Sequence, residues 1–336
     1  MMTIKTRFAN FTRQIRPTLK HMEKANQQTD YMVNNLKNRV AADGTFTLEK
    51  ILRAGSNAKH TSLRQTADNL FDVDLGAYYS GKGATKDHLD TLLDFTQKQL
   101  RDIYPMKAEE DFEILKSAVR VKFKTGIKLW VDVAPIIRDD SLNLENGGWI
   151  PRADGWRLTS VTLHNRFVSS RSTQSNLIKG PVKFNRLVRL VKWWNNRLGD
   201  LTQPSIFCDL ICAAAVHETG VTDEWRSSLL LVFSFLRKHQ FLEPILFGDN
   251  YTVKSVQLPD HPVIVMDSVN SQNNVASLWT EQTRIDYLDQ IQDAYDAMMD
   301  ARSAERDGDE DAAVDAWCRV FGEQFRTLSE QTEEED

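Results

Sequence analysis

The chain has 336 residues, enough for one large domain or two of ordinary size. Its 42 Lys and Arg against 47 Asp and Glu give a formal net charge of −5, which excludes a bulk basic footprint for coating nucleic acid. Hydrophobic residues at 41% and charged residues at 26% exclude a disordered or collagen-like chain.

Residues 1–42 are polar and basic, with no apolar h-region of a signal peptide. Tyr31, Met32, Leu36 and Val40 share one helical face, which predicts a long bracing N-terminal helix or helix pair. Next comes FTLEKILRAGSNAKHTSLRQ (46–65), an element that ends in a turn at Gly55–Ser56. In FDVDLGAYYS (71–80), Phe71, Val73 and Leu75 alternate with Asp72, Asp74 and Gly76, as in a strand with one acidic face. Leu89, Leu92, Leu93 and Leu100 predict an amphipathic helix over 83–105, ended by Pro105. Residues 118–137 read as a hairpin. Val119, Val121 and Phe123 alternate with Arg120, Lys122 and Lys124; Thr125–Gly126 turns the chain; Ile127, Leu129, Val131 and Val133 alternate with Lys128, Trp130 and Asp132. Residues 138–176 are polar and weakly periodic, and read as irregular.

From about 177 the pattern turns helical. Leu187, Val191, Trp194 and Leu198 form one stripe, two apolar helices follow from Ser205 and Glu224, and a last amphipathic helix spans about 281–302. The 15 Gly and 9 Pro are about 7% of the chain against a usual level of roughly 12%, which favours long helices over a loop-rich sandwich. The longest apolar stretch, Leu229 to Leu236, is far short of the ~20 residues of a membrane span, so a cytoplasmic protein is expected. Three cysteines make no disulfide framework, and Cys208 and Cys212, one helical turn apart, read as small buried residues. The expected fold is α/β (α+β). Residues 1–175 would hold the N-terminal helix and a mixed core, 176–325 a helical lobe, and 326–336 a disordered acidic tail.

Three features carry chemistry: Gly55–Ser56 in a turn, Asp72-x-Asp74 on a strand, and Asp132 on a later strand, opposite the apolar set. Strand spacing puts Asp72 and Asp74 on one face, about 6.5–7 Å apart. Carboxylates that close raise one another's pKa unless a cation sits between them, and hard oxygen ligands select Mg²⁺ or Mn²⁺. A third carboxylate from a neighbouring strand completes a two-metal site. The Gly-Ser turn offers backbone N–H groups and a hydroxyl to a triphosphate. Together these match the pattern of the polymerase-β-like nucleotidyltransferases.

A closer resemblance follows. AGSNAKHTSL (54–63) resembles the G-S-x-A-K-G-T motif of the bacterial cyclic GMP-AMP synthase/DncV-like nucleotidyltransferases, the CD-NTases. LFDVDLGAYYS and LWVDVAPII resemble their aspartate strands, VRLVKWW (188–194) their R-L-x-K-x-W helix, and SIFCDLICAAAV their S-F-x-x-E-L helix. FGDNYTVKSVQL (247–258) and VMDSVNSQNNVASLW (265–279) resemble segments of clades C and D, and WCRVFGEQF (317–325) their last helix.

The resemblance implies a polymerase-β-like core with a helical C-terminal lobe, and a template-independent synthase of cyclic oligonucleotides from ATP, alone or with a second nucleoside triphosphate, in antiphage (CBASS) signalling, with cyclic tri-adenylate favoured and a cyclic dinucleotide the alternative. It implies that Asp72 and Asp74 ligate two Mg²⁺ (or Mn²⁺) ions and that Asp132 holds the ion at the attacking 3′-hydroxyl. Gly55 and Ser56 would hold the β/γ phosphates, with Lys59 and Thr61 at motif positions beside them. Lys192 and Ser205 match positions that contact the triphosphate from the helical lobe. Implied partners are a HORMA-domain activator, double-stranded DNA, an AAA+ ATPase and a nuclease effector, with no membrane. For DNA, the local patch would be Arg120, Lys122, Lys124 and Lys128 with the N-terminal basic residues.

Four departures stand out: a longer gap between Ser56 and Asp72, His60 for the motif glycine, Asp209 for a Glu, and Ser268 for a Pro. Asp267, Asn270, Asn273 and Asn274 read as an Asx-turn network, Trp193 and Trp194 as core, and His164, His217 and His239 as structural. A linear poly(A)- or CCA-type enzyme and a non-catalytic antitoxin-like fold are the competing readings.

Overall fold

The computed structural model describes residues 2–66, 71–81, 84, 89–126, 128–152, 155–177 and 180–332. It divides into two compact units, Pro17–Arg166, and Met1–Arg16 with Phe167–Glu335. No helix among the described residues is long and apolar enough to cross a membrane.

The first unit is built on a mixed sheet. Its strands are β1 (Thr47–Ala54), β2 (Phe71–Ser80), β3 (Phe112–Ile114), β4 (Val119–Phe123), β5 (Leu129–Arg138), β6 (Gly148–Arg152) and β7 (Gly155–Thr159). The order is β1-β2-β5-β4-β3, with β6 on β5 and β7 on β6. β2 and β5 run parallel, and β1 and β4 flank them antiparallel. The alternation in β2 and β5 has the expected result. Val73, Leu75, Val131 and Val133 are fully buried in a core shared with Met32, Leu36 and Val40 of α2 (Leu19–Asp43) and Leu92, Leu93 and Leu100 of α4 (Leu89–Ile103). The opposite face is left to the polar set. Ile127, residues 67–69 of the long gap and the start of the 83–105 helix lie outside the described residues.

Where 138–176 read as irregular, the chain forms the β6–β7 hairpin and α5 (Val161–Ser175). Pro151 sits beyond the end of the β5–β6 ladder, so its missing N–H costs no pairing on that side. In α5 the hydroxyls of Ser170, Ser172, Thr173 and Ser175 bond back to carbonyls three or four residues earlier. A Ser/Thr-rich helix of this kind carries little apolar period to detect.

The second unit contains α6 (Phe184–Asn195), α7 (Ser205–Thr219), α8 (Trp225–His239), α9 (Glu281–Asp307), α10 (Glu310–Phe321) and α11 (Gln324–Glu330). Trp193 and Trp194 are core, the latter edge-on to Phe233 at 4.9 Å. Cys208 and Cys212 are fully buried, and burial pushes the Cys208 thiol up to about 12. The N-terminal segment is a helix pair broken at Pro17, with Thr18 capping α2. Its first helix, α1 (Ile4–Gln14), belongs to this second unit rather than to the mixed core. Phe8 and Phe11 are buried against Trp317, Phe321 and Phe325 with ring centres 4.6–6.1 Å apart. Residues 326–330, expected in a disordered tail, are helical because Phe325 and Ser329 are buried and Asn10 and Arg7 of α1 bond Ser329. Residues 333–336 lie outside the described residues.

Asp267, Asn270, Asn273 and Asn274 form the expected Asx network. Asp267 accepts from the Val269 and Asn270 N–H groups, Asn273 donates to Asp267, and Asn274 bonds Val265, Ala276 and Val263.

Candidate active site

The parallel register of β2 and β5 pairs Asp74 with Asp132 and Asp72 with Trp130. All four stand on the face opposite the α2/α4 core. Two strands of alternating Val and acid therefore suffice to set three carboxylates together at the sheet centre, Asp72 and Asp74 along β2 and Asp132 beside Asp74. Burial and the charges of Asp72 and Asp132 push the Asp74 carboxyl up to about 7, with Lys59 and Arg120 opposing. This repulsion is what a divalent cation would relieve, and the donors are the hard oxygens that Mg²⁺ and Mn²⁺ select. The residues fit such ions.

In an acid whose folded pKa lies above its unfolded one, the folded state binds the extra proton between the two values. Stability is therefore greatest below about pH 4 and falls as pH rises towards 7. The gap from an ordinary aspartate to about 7 bounds the effect at roughly 4 kcal/mol. Asp74 is half-buried, so solvent reduces this to the order of 2 kcal/mol. Asp74→Asn in EDTA should melt about 4–8 °C above the parent at pH 8, with the gain shrinking towards pH 5. Parallel melting curves at every pH would contradict this origin of the shift.

The edge strand supplies the phosphate side. Ala54, the last residue of β1, pairs with Asp74, and Gly55 follows at φ +64°, opening the single turn α3 (Gly55–Ala58). A Cβ at Gly55 would lie 1.7 Å from Asp74 Oδ2, so both the left-handed backbone and the space require glycine. Ser56 Oγ is 3.2 Å from Ser62 Oγ, and the Thr61 N–H closes the loop onto the Ser56 carbonyl at 2.9 Å. Thr61 is fully buried and shapes this turn from behind. Lys59 is half-buried and near enough to Asp74 to oppose its shift. His60 adopts φ +56°, the conformation its motif position raised, with its side chain exposed.

Lys192 and Ser205 lie in the second unit. Lys192 is 3% exposed and sits 2.9 Å from Asp209 Oδ1, itself 2% exposed. Ser205 is the exposed first residue of α7, and Pro204 rather than Ser205 takes the cap position. Removing one partner of a buried ion pair strands the other's charge, at about 3–5 kcal/mol. Lys192→Met should cost this much in denaturant unfolding, and Lys192→Met with Asp209→Leu should recover most of it. A loss in the double variant equal to the sum of the two single losses would show that the pair is not coupled.

One residue at the site escaped sequence reading. Arg120, assigned to a basic patch, pairs with Asp132 across β4–β5 and donates from Nε and Nη2 to its two oxygens, both at 2.8 Å. Counting back across the hairpin from Asp132 would have found it. Lys122 and Lys124 are likewise tied to Glu113 and Asp111. Among the described residues no three His, Cys, Asp or Glu side chains converge as a closed metal-ligand cluster.

Residues 2–168 match the family described as the Second Messenger Oligonucleotide or Dinucleotide Synthetase domain. Over 306 residues the chain is 30% identical to the CBASS oligonucleotide cyclase CdnC of Escherichia coli (strain KTE188), spanning 90% of this chain and 91% of that one. It is 31% identical over 306 residues to the cyclic AMP-AMP-AMP synthase of Escherichia coli (strain MS 115-1), spanning 89% and 90%. The structure of E. coli MS115-1 CdnC with ATP is similar at a TM-score of 0.79 and 27% identity, covering 96% of this chain and 98% of that one. The same protein in complex with HORMA-deltaN gives the same TM-score and identity, covering 95% and 96%.

Proposed function

Because the chain belongs to the CD-NTase family of bacterial oligonucleotide cyclases, we propose that it converts ATP into cyclic tri-adenylate by two-metal nucleotidyl transfer. The group Asp72, Asp74 and Asp132, with Gly55 packed behind Asp74, carries this reading. The product is taken from the relative named as a cyclic AMP-AMP-AMP synthase.

Asp72 and Asp74 would hold both ions, and Asp132 the one facing the attacking 3′-hydroxyl, where it also stands to accept the proton. When bound, Mg²⁺ (or Mn²⁺) lowers the pKa of that hydroxyl and neutralises the leaving pyrophosphate. The Gly55 and Ser56 N–H groups and the Ser56 hydroxyl would hold the β/γ phosphates, with Lys59 beside them and Thr61 fixing the turn. Lys192 and Ser205 are assigned to the triphosphate from the helical unit. This asks Lys192 to loosen from Asp209, which the exposed Ser205 need not do.

CdnC in complex with HORMA-deltaN supports a HORMA-domain activator as partner. Double-stranded DNA, an AAA+ ATPase and a nuclease effector remain assigned by resemblance, with the cytoplasm as the place of reaction. The β4 cations are matched by acids, so DNA would rely on basic residues elsewhere.

The test is incubation with Mg²⁺ and each labelled nucleoside triphosphate, with and without the HORMA partner and DNA, followed by phosphatase and mass measurement. A phosphatase-resistant product from ATP alone, of the mass of a ring of three adenylates, is expected. A ladder of phosphatase-sensitive chains would overturn the cyclase reading. A ring of other size or base content would overturn the product.

A further inference from the structure

The contact between Arg120 and Asp132 has a consequence for how the site loads. Asp132 is 8% exposed, and Arg120 approaches it as a fork, one nitrogen on each oxygen. Such bidentate, charge-assisted pairs are among the strongest side-chain interactions. The guanidinium carbon also lies 4.2 Å from the centre of the Trp130 ring. Trp130 stands two residues before Asp132 on the same face, so Arg120 is clamped between carboxylate and indole. Both Asp132 oxygens are therefore engaged by a side-chain cation. The other β4 cations do not share this position: Lys122 is 2.8 Å from Glu113 and Lys124 is 2.6 Å from Asp111.

We propose that Arg120 is a built-in counter-ion that locks Asp132, so that a divalent metal gains its third carboxylate only when the guanidinium lets go. This rests on the reading of Asp72, Asp74 and Asp132 as the metal-holding carboxylates. Asp72 and Asp74 can recruit an ion without Asp132; the lock withholds the ligand at the attacking hydroxyl. Arginine suits the task because its planar fork covers both oxygens at once, whereas a lysine ammonium is a point charge.

The test is Mn²⁺ titration of metal-free protein, read from the free-ion paramagnetic resonance signal, with melting curves confirming that each variant folds. R120K keeps the charge and loses the fork. It should bind Mn²⁺ about tenfold more tightly, the worth of one charge-assisted hydrogen bond. R120Q should bind more tightly still, K122Q should match the parent, and the R120K gain should vanish in the D132N background. An R120K affinity equal to the parent's, whether or not R120Q tightens, would overturn the lock and leave only a general charge effect. Mn²⁺ binding that survives D72N with D74N would instead sink the metal reading, and the lock with it. With the metal reading intact, that double variant loses the ion.

Discussion

Replacing Asp72 and Asp74 together by Asn should abolish product formation while the protein still folds. Amides keep the size and polarity of the carboxylates but cannot bring two ions together. Metal stabilisation of the transferring phosphoryl group is worth several kcal/mol, so the rate should fall about a thousandfold or more. Folding should not suffer, because these side chains face away from the α2/α4 core and Asp74 is itself crowded by like charge. Product measured against circular dichroism separates the two effects. A folded double variant with more than a few per cent of parental activity would show that these carboxylates do not carry the reaction.

Gly55→Ala should be nearly as damaging, through one methyl group. The new Cβ would lie 1.7 Å from Asp74 Oδ2 and 2.6 Å from its Cγ, so the carboxylate must rotate out of the group. The left-handed backbone adds about 1–2 kcal/mol of strain. The obstacle is a half-buried side chain on the polar face of the sheet, away from the α2/α4 core, so the fold should tolerate the shift. A loss of turnover of at least about a hundredfold is expected, the scale of a misplaced catalytic group, with a melting point lowered by only a few degrees. Full activity in Gly55→Ala would mean that Asp74 does not need its present position.

The carboxylates also mark how far the sequence could be read. The Val–Asp alternation of 71–75 and 129–133 fixes which face is acidic, because strand period leaves no other choice. That Asp74 lies beside Asp132 depends on a parallel register between strands far apart in the chain, and spacing within either strand does not encode it. Arg120 lies within reach of the sequence by contrast, since the turn at Thr125–Gly126 sets the register that places it opposite Asp132. α5 escaped detection because its hydroxyls satisfy backbone carbonyls in place of an apolar stripe. The helix pair at the N-terminus was legible, but the packing of α1 was not, because Phe8 and Phe11 find their aromatic partners some 300 residues downstream. Lys192 was legible as a motif lysine, but its burial against Asp209 was not.

The most direct test is the phosphate balance of the reaction. Each 3′–5′ or 2′–5′ bond formed from ATP releases one pyrophosphate, and ring closure does the same, since the last hydroxyl attacks the α-phosphate of the remaining 5′-triphosphate and its β and γ phosphates leave as pyrophosphate. The protein with Mg²⁺ and its activator should release one pyrophosphate for every adenylate incorporated into a short, phosphatase-resistant product, and none once Asp72 and Asp74 are Asn. Short products that retain a triphosphate, or release of orthophosphate in place of pyrophosphate, would contradict cyclising nucleotidyl transfer at this site.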